Sequence, residues 1–176
     1  ANAKADTLPA ATGYQAVVSG SCSVATNAQV LHWRQSGKSA FAIDPLAVAS
    51  GTDVVTQALD WAKPLLAQGP VLIYATAEPN AVKAIQSQLG VAQAGELVEH
   101  TLSSIAKGLV QAGVRQLVVA GGETSGAVVQ ALDVERMVIG PQIDPGVPWT
   151  CVTSKVCHGD TVHVTLKSGN FGTNDF

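Results

Sequence analysis

Charge is scarce in this sequence: Asp, Glu, Lys and Arg make up 13% of its 176 residues. Ten basic and 13 acidic side chains leave a net of −3. Without a dense cationic face the chain cannot grip a polyanion by counterion release, so no nucleic-acid partner is expected. An anionic membrane surface would attract it no better. Long apolar runs are also missing. Stretches such as Gln116–Gly122 fall far short of the ~20 residues that cross a bilayer, so no membrane partner is expected. Cysteine is limited to Cys22, Cys151 and Cys157. An odd, small number beside apolar neighbours is no disulfide framework and suits a reducing cytosol, so a cytoplasmic protein is expected. Cys151 and Cys157 are spaced too widely for a zinc pair, and His32, His100, His158 and His163 are scattered. No metal site built from such ligands is expected.

Apolar residues, by contrast, reach 47%, enough for a sizeable core and incompatible with a disordered chain. Residues 1–13, small and polar with one proline, read as a linker, and 14–176 as one domain. The linker-like start and a Gly-rich finish that closes no terminal element read as part of a longer polypeptide.

Hydrophobic periodicity alternates between strands and helices along the chain. Tyr14 to Ser19, Phe41 to Ile43, Val71 to Thr76, Leu117 to Ala120, Met137 to Ile139 and Thr161 to Leu166 read as strands. Helices are expected over Val24 to Gln35, Asp53 to Gln68, Ala81 to Leu89, Glu96 to Gln111 and Ala127 to Leu132. Pro64 inside the second of these predicts a kink or broken turn. Most strands are apolar on both faces, which predicts an α/β fold. Its sheet is mostly parallel, with helices on both faces in a Rossmann-like arrangement. Thr161 to Leu166 alternates apolar and polar residues, which predicts an antiparallel C-terminal edge.

Ligands of open α/β sheets bind beyond the carboxyl ends of strands. Two small-residue loops occupy such positions: Gly20-Ser21-Cys22-Ser23 and Gly121-Gly122-Glu123-Thr124-Ser125. Glycine admits a ligand close to the main chain, hydroxyls donate hydrogen bonds, and a helix N-terminus offers free N–H groups, a combination that favours phosphate. The plainer alternative is tight-turn glycines with helix caps. A side chain at Gly122 is expected both to strain the turn and to occupy the phosphate space. Gly37-Lys38-Ser39 ends like a P-loop but lacks the required first glycine and preceding strand. The first strand turn lacks G-x-G-x-x-G, and no G-x-S-x-G elbow occurs. Cys22 with His158 and Asp160 supplies the residue types of a thiol hydrolase, against the alternative of a small buried thiol. Lys167, in Leu166-Lys167-Ser168-Gly169-Asn170-Phe171-Gly172, is either a polyanion contact or a solvated strand-end lysine.

Three segments, taken in series, carry a family resemblance. They are Val18-Ser19-Gly20-Ser21-Cys22-Ser23 with Ala25-Thr26 and Gln29, Ala120-Gly121-Gly122-Glu123-Thr124-Ser125-Gly126, and the Leu166–Gly172 segment. Together with Gly146-Val147-Pro148-Trp149, their order resembles the nucleotide-binding C-terminal domain of the four-carbon acid sugar kinases, nearest the 3-oxo-tetronate kinase branch. The resemblance implies phosphorylation of the terminal (4-) hydroxyl of the sugar acid with ATP and Mg²⁺. It implies an N-terminal sugar-binding domain in the same chain, with the active site between the two. The catalytic base would then lie outside these residues, and this chain alone is expected to be inactive. Ser21, Gly121, Gly122, Glu123, Thr124, Ser125 and Gly169 are the expected ATP-binding residues, with Lys167 as a phosphate contact. Glu123 either orients hydrated Mg²⁺ or simply faces its own helix dipole. A non-catalytic nucleotide or phosphosugar binding module remains the alternative.

Overall fold

The computed structural model describes residues 7–75, 77 and 79–176. The chain runs β1 (Tyr14–Ser19), α1 (Val24–Gln35), β2 (Ala40–Ala42), α2 (Pro45–Ala49), α3 (Val54–Leu66), β3 (Val71–Tyr74), α4 (Pro79–Leu89) and α5 (Val91–Gln111). It continues through β4 (Val114–Ala120), α6 (Gly122–Ala131), β5 (Val134–Asp144), β6 (Val147–Ser154) and β7 (Thr161–Lys167). Among the described residues the strands form one seven-stranded sheet in the order β2-β3-β1-β4-β7-β6-β5. β2, β3, β1, β4 and β7 run parallel, while β6 and β5 are antiparallel. This is the expected α/β architecture with an antiparallel C-terminal edge.

The apolar alternation of the central strands divides the helices between the two faces. Ala16 and Val18 of β1, Val71 and Ile73 of β3, and Leu117 and Val119 of β4 point to one side. There they meet Ala58 and Ala62 of α3, Leu102, Ile105, Ala106 and Leu109 of α5, and Val128 of α6. Val17, Leu72 and Val118 point the other way, beneath Val30 and Trp33 of α1. The connection leaving β1 turns toward β2 and β3, whereas the one leaving β4 turns toward β7. The connections therefore diverge between β1 and β4, which opens a crevice at the carboxyl ends of these strands.

Several element boundaries differ from the periodicity reading. α5 begins at Val91, five residues before the expected Glu96. α3 passes through Pro64 to Leu66 without a break. The proline lies in the last turn, so its missing N–H removes a single hydrogen bond near an end that was about to terminate. β7 is an interior strand, parallel to β4 and antiparallel to β6. Its alternation arises because Val162 and Val164 enter the apolar core while His163, Thr165 and Lys167 point to the other face, where they are buried and hydrogen-bonded. β6 escaped periodicity because Pro148 interrupts it. Pro148 pairs with Gln142 where the β5–β6 register shifts, an irregularity that tolerates a residue without an N–H. The expected strand over Val71 to Thr76 ends at Tyr74, with Ala75 beyond it, and Thr76 lies outside the described residues. Of the expected linker, residues 1–6 also lie outside them. In the described remainder, Leu8 lies against Gly140 of β5, and Pro9 O accepts a hydrogen bond from His163 Nε2 at 2.9 Å.

Candidate functional site

Three parallel strand ends meet in the crevice. Gly20 N–H donates to Ala120 O at 3.0 Å and Gly121 N–H donates to Lys167 O at 2.9 Å, which places the ends of β1, β4 and β7 side by side. Gly20, Ser21, Cys22, Gly121, Gly122, Glu123, Thr124 and Gly169 line one cavity of about 410 Å³. The glycines are fitted for close approach. A Cβ on Gly20 would collide with Thr124 Oγ1, and one on Gly169 with Ser21 Oγ. Gly121 has φ 117°, and a Cβ there would lie 3.3 Å from the Ser21 main-chain nitrogen. Gly122 behaves differently. Its φ is not positive, and a Cβ would meet nothing within 4 Å, so the strain expected there belongs to Gly121 instead.

The helix that opens onto the cavity begins earlier than periodicity indicates: α6 starts at Gly122, not at Ala127. The presumed loop is therefore mostly a helical first turn. Its N-cap is Gly121, which has no side chain to cap with. The first intrahelical bond runs from Ser125 N–H to Gly121 O at 2.9 Å, so the N–H groups of Gly122, Glu123 and Thr124 lie ahead of it, in the turn where a helix leaves its amides unpaired. α1, by contrast, is capped: Ser23 Oγ accepts from Thr26 N–H at 3.2 Å. Of the two helix starts at the crevice, α6 is the one that offers main-chain donors and a positive dipole end to an anion.

The opposite wall is apolar. Val82 and Ile85 of α4 and Ala94 and Val98 of α5 line it. α4 has no buried residue of its own, so its apolar side faces the cavity rather than the core. Between the two walls sit two carboxyls, Glu123 of α6 and Glu99 of α5. Burial raises the Glu99 pKa above the ordinary carboxyl value. A hydrogen bond to Glu123 and the charges of Glu123 and Glu96 push it further the same way. A carboxyl pair held this close favours either a shared proton or a divalent cation. Among the described residues no group of three or more His, Cys, Asp or Glu is arranged to hold a metal.

Two expected ATP ligands stand apart from the cavity lining. Ser125 Oγ donates to Gly121 O at 2.7 Å, inside the helix's own first turn. Lys167 is buried beneath the Ser168–Gly169 loop, where its Nζ donates to Thr26 Oγ1 at 3.3 Å and Ser168 O at 3.1 Å. Desolvation lowers its pKa below the usual lysine value. The hydrolase trio is dispersed. Cys22 follows the carboxyl end of β1, whereas Asp160 pairs with Arg115 at 3.1 Å near the amino ends of β4 and β7. The length of a strand of about seven residues, roughly 20 Å, separates those two edges. Lys38 of the P-loop-like triplet stacks over the Trp33 ring, 4.9 Å from its centroid, well outside the crevice lining.

The family model for a nucleotide-binding C-terminal domain matches residues 16–176. The chain belongs to that family. Two curated relatives, from Pseudomonas fluorescens and Burkholderia multivorans, are 55% and 57% identical over 98% of this chain. Each is named 3-oxo-tetronate kinase, and the chain spans 39% of the length of each. A crystal structure of a Haemophilus influenzae protein superposes with a TM-score of 0.86 at 40% identity, over 97% of this chain and 40% of that one. The nucleotide-binding family thus agrees with a cavity in which an uncapped helix start and glycine-rich strand ends face an apolar wall. Sequence reasoning missed that wall and Glu99. A lone glutamate or a valine on a long amphipathic helix carries no signal separating a cavity lining from a solvated or core face.

Among the described residues, no helix is long and apolar enough to cross a membrane.

Proposed function

We propose that this chain is the ATP-binding domain of a cytoplasmic kinase that phosphorylates the terminal (4-) hydroxyl of 3-oxo-tetronate. The observation that carries the reading is the uncapped α6 N-terminus, flanked by Gly20-Ser21 and Gly169 and facing an apolar wall. The glycine side suits phosphates and the apolar side suits a purine. Phosphoryl transfer relies on positioning and charge stabilisation more than on covalent chemistry. In this reading the main-chain amides of Gly122, Glu123 and Thr124 and the Ser21 hydroxyl hold the phosphates. Gly121 and Gly169 keep side chains away from them.

The Glu99–Glu123 pair fits Mg²⁺: burial first, and then the neighbouring Glu123 and Glu96, raise the Glu99 pKa, and a divalent ion would offset the charge that both effects disfavour. Glu123 and Glu99 would hold it, mostly through water. When bound, it would offset the charge developing on the phosphate oxygens.

Residues 14–176 act as the nucleotide domain and residues 1–13 as the connection to an N-terminal sugar-binding domain, which supplies the sugar acid and the catalytic base. The names of the curated relatives and the 39% span support this division. The chain alone is then expected to bind MgATP and to transfer no phosphate to 3-oxo-tetronate. Adding a sugar-binding domain from a relative should start turnover. The test is a coupled ADP-release assay with each half and with both. Turnover by this chain alone would contradict the division of labour. ATP binding without turnover in any combination would favour the rival reading, a non-catalytic nucleotide-binding module.

A further inference from the structure

Lys167 ends β7 with 1% of its surface exposed and is the largest fully buried side chain among the described residues. Among the described residues it forms no ion pair. An ammonium hydrogen-bonded only to neutral oxygens is costly to bury, so its position calls for a reason. Its partners supply one. The Gly169 carbonyl accepts from three donors at once: Ser23 Oγ, Thr26 Oγ1 at 2.9 Å and Lys167 Nζ at 3.4 Å. A carbonyl oxygen has two lone pairs, so this acceptor is saturated and its peptide plane is fixed. Ser23 caps α1 and Thr26 lies in its first turn, which ties the end of β7 to the start of α1. Gly169 is thereby pressed against Ser21 at the cavity wall.

Building on the nucleotide reading of the cavity, we propose that Lys167 is a positioning cation of the phosphate site. From beneath the Ser168–Gly169 loop it clamps the Gly169 carbonyl and stands a positive charge behind the wall that the phosphates face, without touching them. A charge shielded from water by protein acts across such a wall far more strongly than one on the surface. A mere brace would support every ligand of the cavity equally. A charge behind the wall distinguishes ligands by their phosphate content.

The experiment is calorimetric titration of the chain with adenosine, AMP and ATP, for the unaltered protein, Lys167→Met and Thr26→Val. Amine acylation is mapped alongside, with and without ATP. For Lys167→Met we expect ATP to weaken at least about tenfold (~1.4 kcal/mol), AMP by less, and adenosine to stay within about twofold. Thr26→Val, which removes one of the three Nζ acceptors and a donor to Gly169, should weaken ATP in the same direction. Lys167 should resist acylation even in the free chain, under conditions that modify the exposed Lys63 and Lys107. Equal losses for all three ligands would overturn the role of the charge. Acylation of Lys167 in the free chain that ATP suppresses would make it a direct phosphate ligand instead. If Lys167→Met does not fold, Thr26→Val and the acylation map still decide. Failure of the unaltered chain to bind ATP would overturn both this inference and the nucleotide reading. Normal ATP binding by Lys167→Met would overturn this inference alone.

Discussion

Replacing Gly122 with valine should weaken ATP binding at least about tenfold, roughly 1.4 kcal/mol, while the nucleotide-free chain melts within about 2 °C of the unaltered one. The two effects separate because of where Gly122 sits. It is the first residue of α6, its backbone is not in the left-handed region, and a Cβ would meet no atom within 4 Å. Folding therefore has little reason to resist the substitution. The open space is cavity, however, and lies beside the amides that precede the first intrahelical bond. A branched side chain there takes the volume that a phosphate would need. Titration calorimetry and a melting curve check the pair of outcomes. Unchanged ATP affinity in a folded variant would remove the α6 start from the site.

Gly169→Ala should behave in the opposite manner, losing stability and affinity together. An exposed turn would tolerate a methyl group, and the sequence alone suggests little cost. The structure sets Gly169 against Ser21 instead. The added Cβ would collide with Ser21 Oγ and lie 3.0 Å from Ser23 Oγ and 3.1 Å from Ser21 Cβ. Ser21 can rotate, but its Oγ now accepts from Ser23 N–H at 3.2 Å, and Ser23 is committed as the α1 cap. Relief must come from shifting the loop, which breaks the hydrogen bonds that the Gly169 carbonyl accepts. Overpacking of this kind typically costs about 1–3 kcal/mol. A melting temperature lowered by several degrees, with ATP at least about tenfold weaker, is the expected result. A variant as stable as the parent would show that the loop yields freely and that the close contact is not a constraint.

The contrast between these two glycines shows what the sequence could and could not convey. Both follow strands and both lie in small-residue segments, so composition singled out both, and the structure brings both to the lining of one cavity. Which one is crowded depends on atoms more than a hundred residues away, since Ser21 and Gly169 meet only after β1, β4 and β7 have paired in register. The same limit applies to Lys167. A lysine at a strand end beside glycines reads equally well as a phosphate contact or a solvated residue. Its burial beneath its own loop follows from the packing of α1, which no local pattern encodes. The parallel core was legible because strands apolar on both faces have few other folds open to them. β6 was not legible, because Pro148 and a register shift disguise a strand as a turn. The apolar cavity wall from α4 and α5 was hidden for a different reason: a helix that lines a cavity has the same periodicity as one that lines a core.

The central claim is that phosphates bind at the α6 N-terminus, and a structure of the chain with a non-hydrolysable ATP analogue tests it most directly. The account predicts phosphate oxygens about 3 Å from the main-chain nitrogens of Gly122, Glu123 or Thr124. It also predicts the purine against Val82, Ile85 and Val98, with Lys167 Nζ still bonded to Thr26 and Gly169. Phosphates seated elsewhere, with those three amides exposed to water alone, would contradict it.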